Sequence, residues 1–488
     1  MFIDFLAICI GLTALLFIGY RKGASWITHK SLKHIPSVNF SRFGSWGDAF
    51  MFLTSGHRYI SRGCEMYPNA VFKVRRLDGW ICIVNGSLIE ELQAMPSSVA
   101  SLHLAAHETL RGDYTLGSQI TFNSYHIPLV SRLTRNLNKL YQDIFNEIQD
   151  TLVTHIGDAS ASINATRLIT DVVGRTSNRI FVGDSLCRNE KYVSLNIRFA
   201  AEVMKVSTVL NLCPKFIRPF VSRLFSNIPD YVEAVTQLLT PIITARLDMR
   251  EKYGAGHDGE PLNDELISQG DERAPHMLAR RILALNFAAI HTSSISMLHA
   301  LYHFTANQEY VKELRAEIDR VVNESGWSLE SISSMHLLDS FLRESQRYEG
   351  LGPLSMTRKA LQPFSLSNGT YIPAGTLLYV PSNVVHQDPR NYSNPEVFDP
   401  WRYVDKGGSG SRLEFTRADP TYLPFGLGRH ACPGRFFAAC EIKTTLAYIL
   451  HNYDVAFDDG IDGRPDNLSF FLNTIPSPYA KIRFSKRF

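Results

Sequence analysis

One cysteine, Cys432, stands where a glycine-rich loop runs into an apolar, helix-forming stretch, and this arrangement restricts the chain more than any other feature. The run reads Phe425-Gly426-Leu427-Gly428-Arg429-His430-Ala431-Cys432-Pro433-Gly434 and continues into Arg435-Phe436-Phe437-Ala438-Ala439. Gly426 and Gly428 let main chain lie close to a flat ligand. A helix N-terminus presents unbonded N–H groups and the positive end of the helix dipole. Both favour thiolate over thiol, so the loop is suited to aim an anionic sulfur at a metal. Pro433 suits a first helical position, where no N–H is needed. Phe425 can shield the sulfur from water.

Three plainer readings compete. Gly426-x-Gly428-x-x-Ala431 fits a dinucleotide fingerprint formally, but Pro424 interrupts the strand that should precede it and no βαβ unit follows. His430, Cys432 and Cys440 lack the close pairs of a zinc site. An inert buried cysteine would not need the surrounding glycines and arginines.

The 488 residues can bury a large core, and no Pro/Gly/Ser linker or internal repeat divides the body. A hydrophobic content of 45% with 20% charged residues fits a globular protein. The net charge of +3 implies no nucleic-acid partner. The 7 cysteines are scattered along a long chain, which is no disulfide framework and fits a reducing compartment. Residues 2–20 are apolar apart from Asp4, and Arg21, Lys22, Lys30 and Lys33 follow them. This pattern predicts a membrane anchor at 1–22 with the body on the cytosolic side. A cleaved signal peptide would want basic residues first. A linker over 23–36, ending at Pro36, leads to a catalytic domain at 37–488. Val71-Phe-Lys-Val-Arg and Trp80-Ile-Cys-Ile-Val predict a hairpin turning at Asp78-Gly79. Helical patterns dominate from Ser131 into the mid-400s, strands and turns return over 353–381, and the last residues, 469–488, predict a strand pair.

The cysteine loop resembles the haem-binding loop of the cytochrome P-450 superfamily, whose axial iron ligand is a cysteine thiolate. Other motifs extend the likeness over nearly the whole chain after the anchor. Glu344-Ser-Gln-Arg347 resembles the family's E-x-x-R, alone no more than an exposed ion pair. Pro395-Glu-Val-Phe398-Asp399-Pro400-Trp401-Arg402 resembles the segment whose arginine, here Arg402, completes a buried Glu–Arg–Arg cluster. Ala288-Ala289-Ile290-His291-Thr292 resembles the oxygen-activating motif of the central helix, with His291 where relatives carry an acid. The resemblance implies a mainly α fold with small peripheral β-sheets, the cytochrome P-450 fold, behind an N-terminal transmembrane helix. It implies haem b (iron protoporphyrin IX) on Cys432, framed by Phe425, Gly428, His430 and Gly434. Arg358 and the helix carrying Arg132 and Arg135 are implied to reach the haem propionates. Thr292, with His291 relaying protons, is implied to be catalytic.

A haem monooxygenase follows as the expected function. It would use O2 and electrons from NADPH through a cytochrome P-450 reductase, with cytochrome b5 as a further partner, at the endoplasmic reticulum membrane. Arg429, Arg435 and Lys443 could offer the reductase positive charge, or be propionate partners or solvated surface. Phe287, Ala288, Ile290, Leu354 and Ile475 are the implied pocket walls for an apolar substrate. The wording of the two motifs resembles fungal members that oxidise terpenoids or other secondary metabolites. Rival expectations are a haem-thiolate isomerase, dehydratase or coupling enzyme without oxygen insertion, and a non-enzymatic haem sensor.

Overall fold

The computed structural model describes residues 31–122, 126–157, 160–213, 215–253, 274–404, 414–458, 463–470 and 473–487. The expected anchor at 1–22 and the first part of the linker lie outside the described residues. From Leu32 onward the chain already packs into the body: Leu32 and Ile35 are buried, and the Lys73 N–H donates to Pro36 O at 2.8 Å.

Helix dominates. The longer helices are α1 (Gly44–Met66), α2 (Leu102–Leu110), α3 (His126–Arg135), α4 (Leu137–Ile156), α5 (Ala165–Phe181), α6 (Glu190–Leu212), α7 (Arg218–Phe225), α8 (Ile228–Tyr253), α9 (Pro275–Ala306), α10 (Gln308–Ser325), α11 (His336–Tyr348) and α12 (Arg435–Asn452). Sequence sets several starts directly. The Asn164 side chain accepts from Arg167 N at 2.8 Å to cap α5, and Asn189 accepts from Tyr192 N at 3.0 Å to cap α6. Pro275 opens α9 at a position where its missing N–H costs nothing. Among the described residues α9 is long and apolar enough to cross a bilayer. It is instead the core of the protein, packed against α5, α6 and α8. A reciprocal amide pair, Asn178 with Asn286 at 2.8 and 3.0 Å, pins α9 to α5.

The strands, in chain order, are β1 (Val71–Arg76), β2 (Gly79–Val84), β3 (Ala100–Ser101), β4 (Ala161–Asn164), β5 (Ser355–Ala360), β6 (Phe364–Ser365), β7 (Tyr371–Ile372), β8 (Leu377–Val380), β9 (Tyr453–Phe457), β10 (Leu468–Phe470), β11 (Asn473–Ile475) and β12 (Lys481–Lys486). They form small sheets, the largest ordered β1-β2-β8-β5-β3. Two expectations are corrected here. Arg76 pairs with Gly79, so the first hairpin turns at Leu77-Asp78, and Arg76 grips Asp78 at 2.5 Å. The C-terminal region is not one strand pair: β10 pairs with β11, whereas β12 lies between β4 and β9.

Candidate active site

A cavity of about 370 Å³ separates the middle of α9 from the loop before α12, and Cys432 lines it. The loop is held by its own main chain. Cys432 N–H donates to Phe425 O at 2.7 Å and Ala431 N–H to Gly428 O at 3.0 Å. Gly426 and Gly428 both have φ of +68°, the left-handed region that favours glycine. At Gly428 a Cβ would also meet the Gln93 side chain at 2.7 Å. Gly434 has space for a Cβ, 3.9 Å from the Cys432 sulfur, and serves as the cap before α12. Pro433 therefore stands outside the helix, not at its first position. Phe425 lines the cavity and packs edge-on against Phe415. Burial pushes the Cys432 thiol pKa up; the Gly434 and Arg435 N–H groups and the Arg435 charge oppose it without prevailing. The helix end alone does not make a thiolate here, and the missing stabilisation is what a bound cation supplies.

One wall of the cavity carries positive charge without a carboxylate to match it among the described lining residues. Arg358 is 2% exposed, donates to Thr357 O at 2.9 Å, and keeps Nε buried without a hydrogen-bond partner among the described residues. Burial lowers its pKa to about 10. His430 contacts Ser97 Oγ at 3.1 Å. Burial, then Arg358, His103 and Arg429, push its pKa down to about 4. Such a wall fits an anionic ligand. The expected second arginine is elsewhere: Arg135 lines a separate cavity of about 410 Å³ against another face of α12. Lys443 is in that cavity too, buried and ion-paired with Asp339 at 3.1 Å, so it is not a surface charge.

Behind the loop, Glu344, Arg347 and Arg402 meet. Arg347 grips Glu344 through two bonds of 2.7 Å, and Arg402 Nε reaches Glu344 Oε2 at 3.1 Å. Both arginines then donate outward to main chain: Arg347 to His386 O, Pro395 O and Val397 O, Arg402 to Ser393 O and Asn394 O. Burial works against the Arg347 cation, yet the hydrogen bonds and charge of Glu344 hold its pKa above the ordinary value. Two more residues brace this cluster. His386 Nε2 accepts from Leu423 N–H at 3.0 Å, which ties the clamp to the start of the cysteine loop. Arg343, 1% exposed, bonds Glu414 O, Arg417 O and Asp419 and lies 3.7 Å from the Tyr422 ring centre. The shared helix α11 is the signal: Arg343 stands one residue before Glu344.

On α9, Ala288 and Thr292 are exposed to the cavity although the helix around them is buried. Thr292 Oγ1 donates to Ala288 O at 2.8 Å, and Ser296 Oγ to Thr292 O at 2.8 Å. His291 does not join them. Consecutive residues diverge by about 100° around a helix, so with Thr292 facing the cavity the His291 ring turns to the Ala200 backbone of α6. Its Nε2 is buried without a hydrogen-bond partner among the described residues, and burial lowers its pKa. Of the other expected wall residues, Ile290 is fully buried core, Phe287 packs on the same core, Leu354 joins the cluster of Phe52 and Tyr59, and Ile475 is exposed on β11. Leu351 and Met356 line the cavity instead.

A family model, Cytochrome P450, matches residues 124–482. The chain belongs to the cytochrome P450 family. Cytochrome P450 monooxygenase 151 of Postia placenta is 36% identical to this P450, over 93% of this chain and 94% of that one. Ent-kaurene oxidase of Gibberella intermedia is 29% identical, over 94% and 90%. Among solved structures, a cytochrome P450DA heme domain shares the fold, with a TM-score of 0.73 at 17% identity over 93% of this chain and 98% of that one. The chain is therefore an oxidoreductase of the P450 monooxygenase type, helical with small sheets, whose family cofactor is haem. The residues present fit that group: a thiol facing a cavity, a buried arginine on its wall with no carboxylate partner among the described lining residues, and small residues opposite.

Proposed function

We propose that this P450 hydroxylates, or further oxidises, an apolar small molecule of the terpenoid or fungal secondary-metabolite class. The observation that carries the reading is Cys432 and Thr292 in one cavity, on opposing elements. The substrate class draws on relatives that include an ent-kaurene oxidase and on the apolar character of most of the cavity wall. Electrons come from NADPH through a cytochrome P450 reductase, with cytochrome b5 as a possible second donor. The protein is proposed to sit at the endoplasmic reticulum membrane, held by residues 1–22, with its body in the cytosol.

Haem, when bound, supplies activation of dioxygen for the net change RH + O2 + 2e⁻ + 2H⁺ → ROH + H2O. The chain's own residues do the rest. Cys432 would hold the iron, its loop fixed by the main-chain bonds of Phe425 and Gly428. Arg358 and His430 would hold the propionate carboxylates. Phe425 keeps water from the sulfur. Ala288 leaves room in the cavity opposite Cys432, and the Thr292 hydroxyl, bonded to Ala288 O, would hold a proton there. His291, facing α6, takes no part in that transfer.

The test is product analysis with reductase, NADPH and heavy-isotope dioxygen, against a panel of terpenoid and indole-diterpene intermediates. One labelled oxygen in the product is expected. A product without label points to isomerase or coupling chemistry and removes the monooxygenase assignment.

A further inference from the structure

On α9 the open side extends beyond the cavity. Positions 280, 284, 288 and 292 all keep surface, whereas residues 277–279, 281–283 and 285–286 are buried. Residues four apart follow one row along a helix. The side open to the cavity at Ala288 and Thr292 therefore continues toward the N-terminal end of α9. Ala284 adds little bulk at the next position, and Arg280 follows it. Eight residues of helix put Arg280 about 12 Å from Ala288. Beside this row Ile120, from the short helix Ser118–Phe122, packs on Met277, with Ala284 at the edge of that contact. The surroundings of the row are thus apolar up to the arginine.

Arg280 meets no acid there. Among the described residues none forms a hydrogen bond or ion pair with it. Its Nη1 lies beside Gly117, where a Cβ would stand 3.7 Å away, so that neighbour offers no side chain to cover the guanidinium. Arg280 is partly buried. Burial lowers its pKa, and no neighbouring charge opposes that. A solvated surface arginine would keep its ordinary value. A partly buried cation without an acid is stabilised by an anion brought to it.

We propose that Arg280 anchors the substrate by a carboxylate, with the apolar skeleton lying along Ala284 and Ala288 toward Cys432. The substrate class narrows from an apolar molecule to an amphipathic acid, with a carboxyl at one end and the target C–H bond near the other. A guanidinium takes a carboxylate through two parallel hydrogen bonds. One guanidinium balances one negative charge. A phosphate or diphosphate would leave charge unpaired in a partly buried site, which is costly. Spacing sets the reach: the skeleton must span about 12 Å from the carboxylate to the carbon offered at Ala288. Holding one end also fixes which carbon arrives, so Arg280 determines specificity and is not a catalytic residue. The inference rests on the reading of this cavity as the substrate site of the P450.

Binding to the haem-loaded protein tests this. The probes are a kaurane-type diterpenoid acid, a tricyclic diterpenoid acid and a long-chain fatty acid, each paired with its methyl ester. Affinities are read by the Soret shift and by calorimetry. At least one acid should bind the wild type about tenfold more tightly than its ester. Arg280→Gln should bind acid and ester alike, and Arg280→Lys should keep part of the preference. The melting temperature of ligand-free Arg280→Gln should equal or exceed that of the wild type, because an unpaired, partly buried charge has been removed. A fall would mark a structural role and overturn the proposal. It is also overturned if no acid binds more tightly than its ester, or if Arg280→Gln keeps the preference. Heavy-isotope dioxygen separates this result from the earlier one. An acid preference that depends on Arg280, with unlabelled product, removes the monooxygenase assignment and leaves the anchor; labelled product without an acid preference does the reverse.

Discussion

At Cys432, burial and helix-end electrostatics pull in opposite directions, and burial prevails; a bound cation would favour the thiolate. The sulfur's ionisation is thus coupled to metal loading. Cys432→Ser should remove the red-shifted band of the reduced CO complex, which reports thiolate ligation, even where some haem stays in the cavity; a retained band would show another ligand. Arg358 faces the converse situation, a cation kept in a buried wall without an acid. Arg358→Gln gives up one charge-assisted bond, worth about 1.5–3 kcal/mol. Haem transfer to apomyoglobin should then become about tenfold easier or more. Cys432 and Arg358 were both legible from motifs. His291 was not legible in its orientation, because a motif fixes spacing along a helix and not which of two neighbours turns to the ligand.

Among the elements, α11 has the most to lose. Its 13 residues carry Arg343, Glu344 and Arg347, each 1% exposed or less. Breaking a buried, fully bonded ion pair from one side costs about 3–5 kcal/mol. Glu344→Gln or Arg347→Leu should lower the melting temperature and the haem-to-protein ratio together, measured by calorimetry and Soret absorbance. His386, beside the clamp, gives the fold a pH dependence. Burial, then the charges of Arg347 and Arg343, push its pKa down to about 3. The unfolded ring titrates near 6.5. The stability it contributes is therefore full above about pH 6.5 and is lost as pH falls toward 3. His386→Gln should flatten the stability-against-pH curve below neutrality. The pairing of Glu344 with Arg347 was legible from i,i+3 spacing and Arg402 from its motif, but the bond from Leu423 to His386 depends on long-range packing.

For the whole molecule, the helix-rich architecture and the two strands of the first hairpin were readable from periodicity, whereas turn chemistry placed that hairpin's turn one residue late. The pairing of β12 with β4 and β9 was not, because short apolar strands do not specify distant partners. Deleting residues 1–20 should raise solubility and leave haem loading intact, checked by fractionation and the CO spectrum, since described packing begins at Leu32. The clamp also bears on how such a protein diverges. Arg347 and Arg402 grip carbonyl oxygens of residues 393, 394, 395 and 397. Every amino acid supplies the same carbonyl, so side chains along that stretch can drift through generations while the foundation under the sulfur stays where it was.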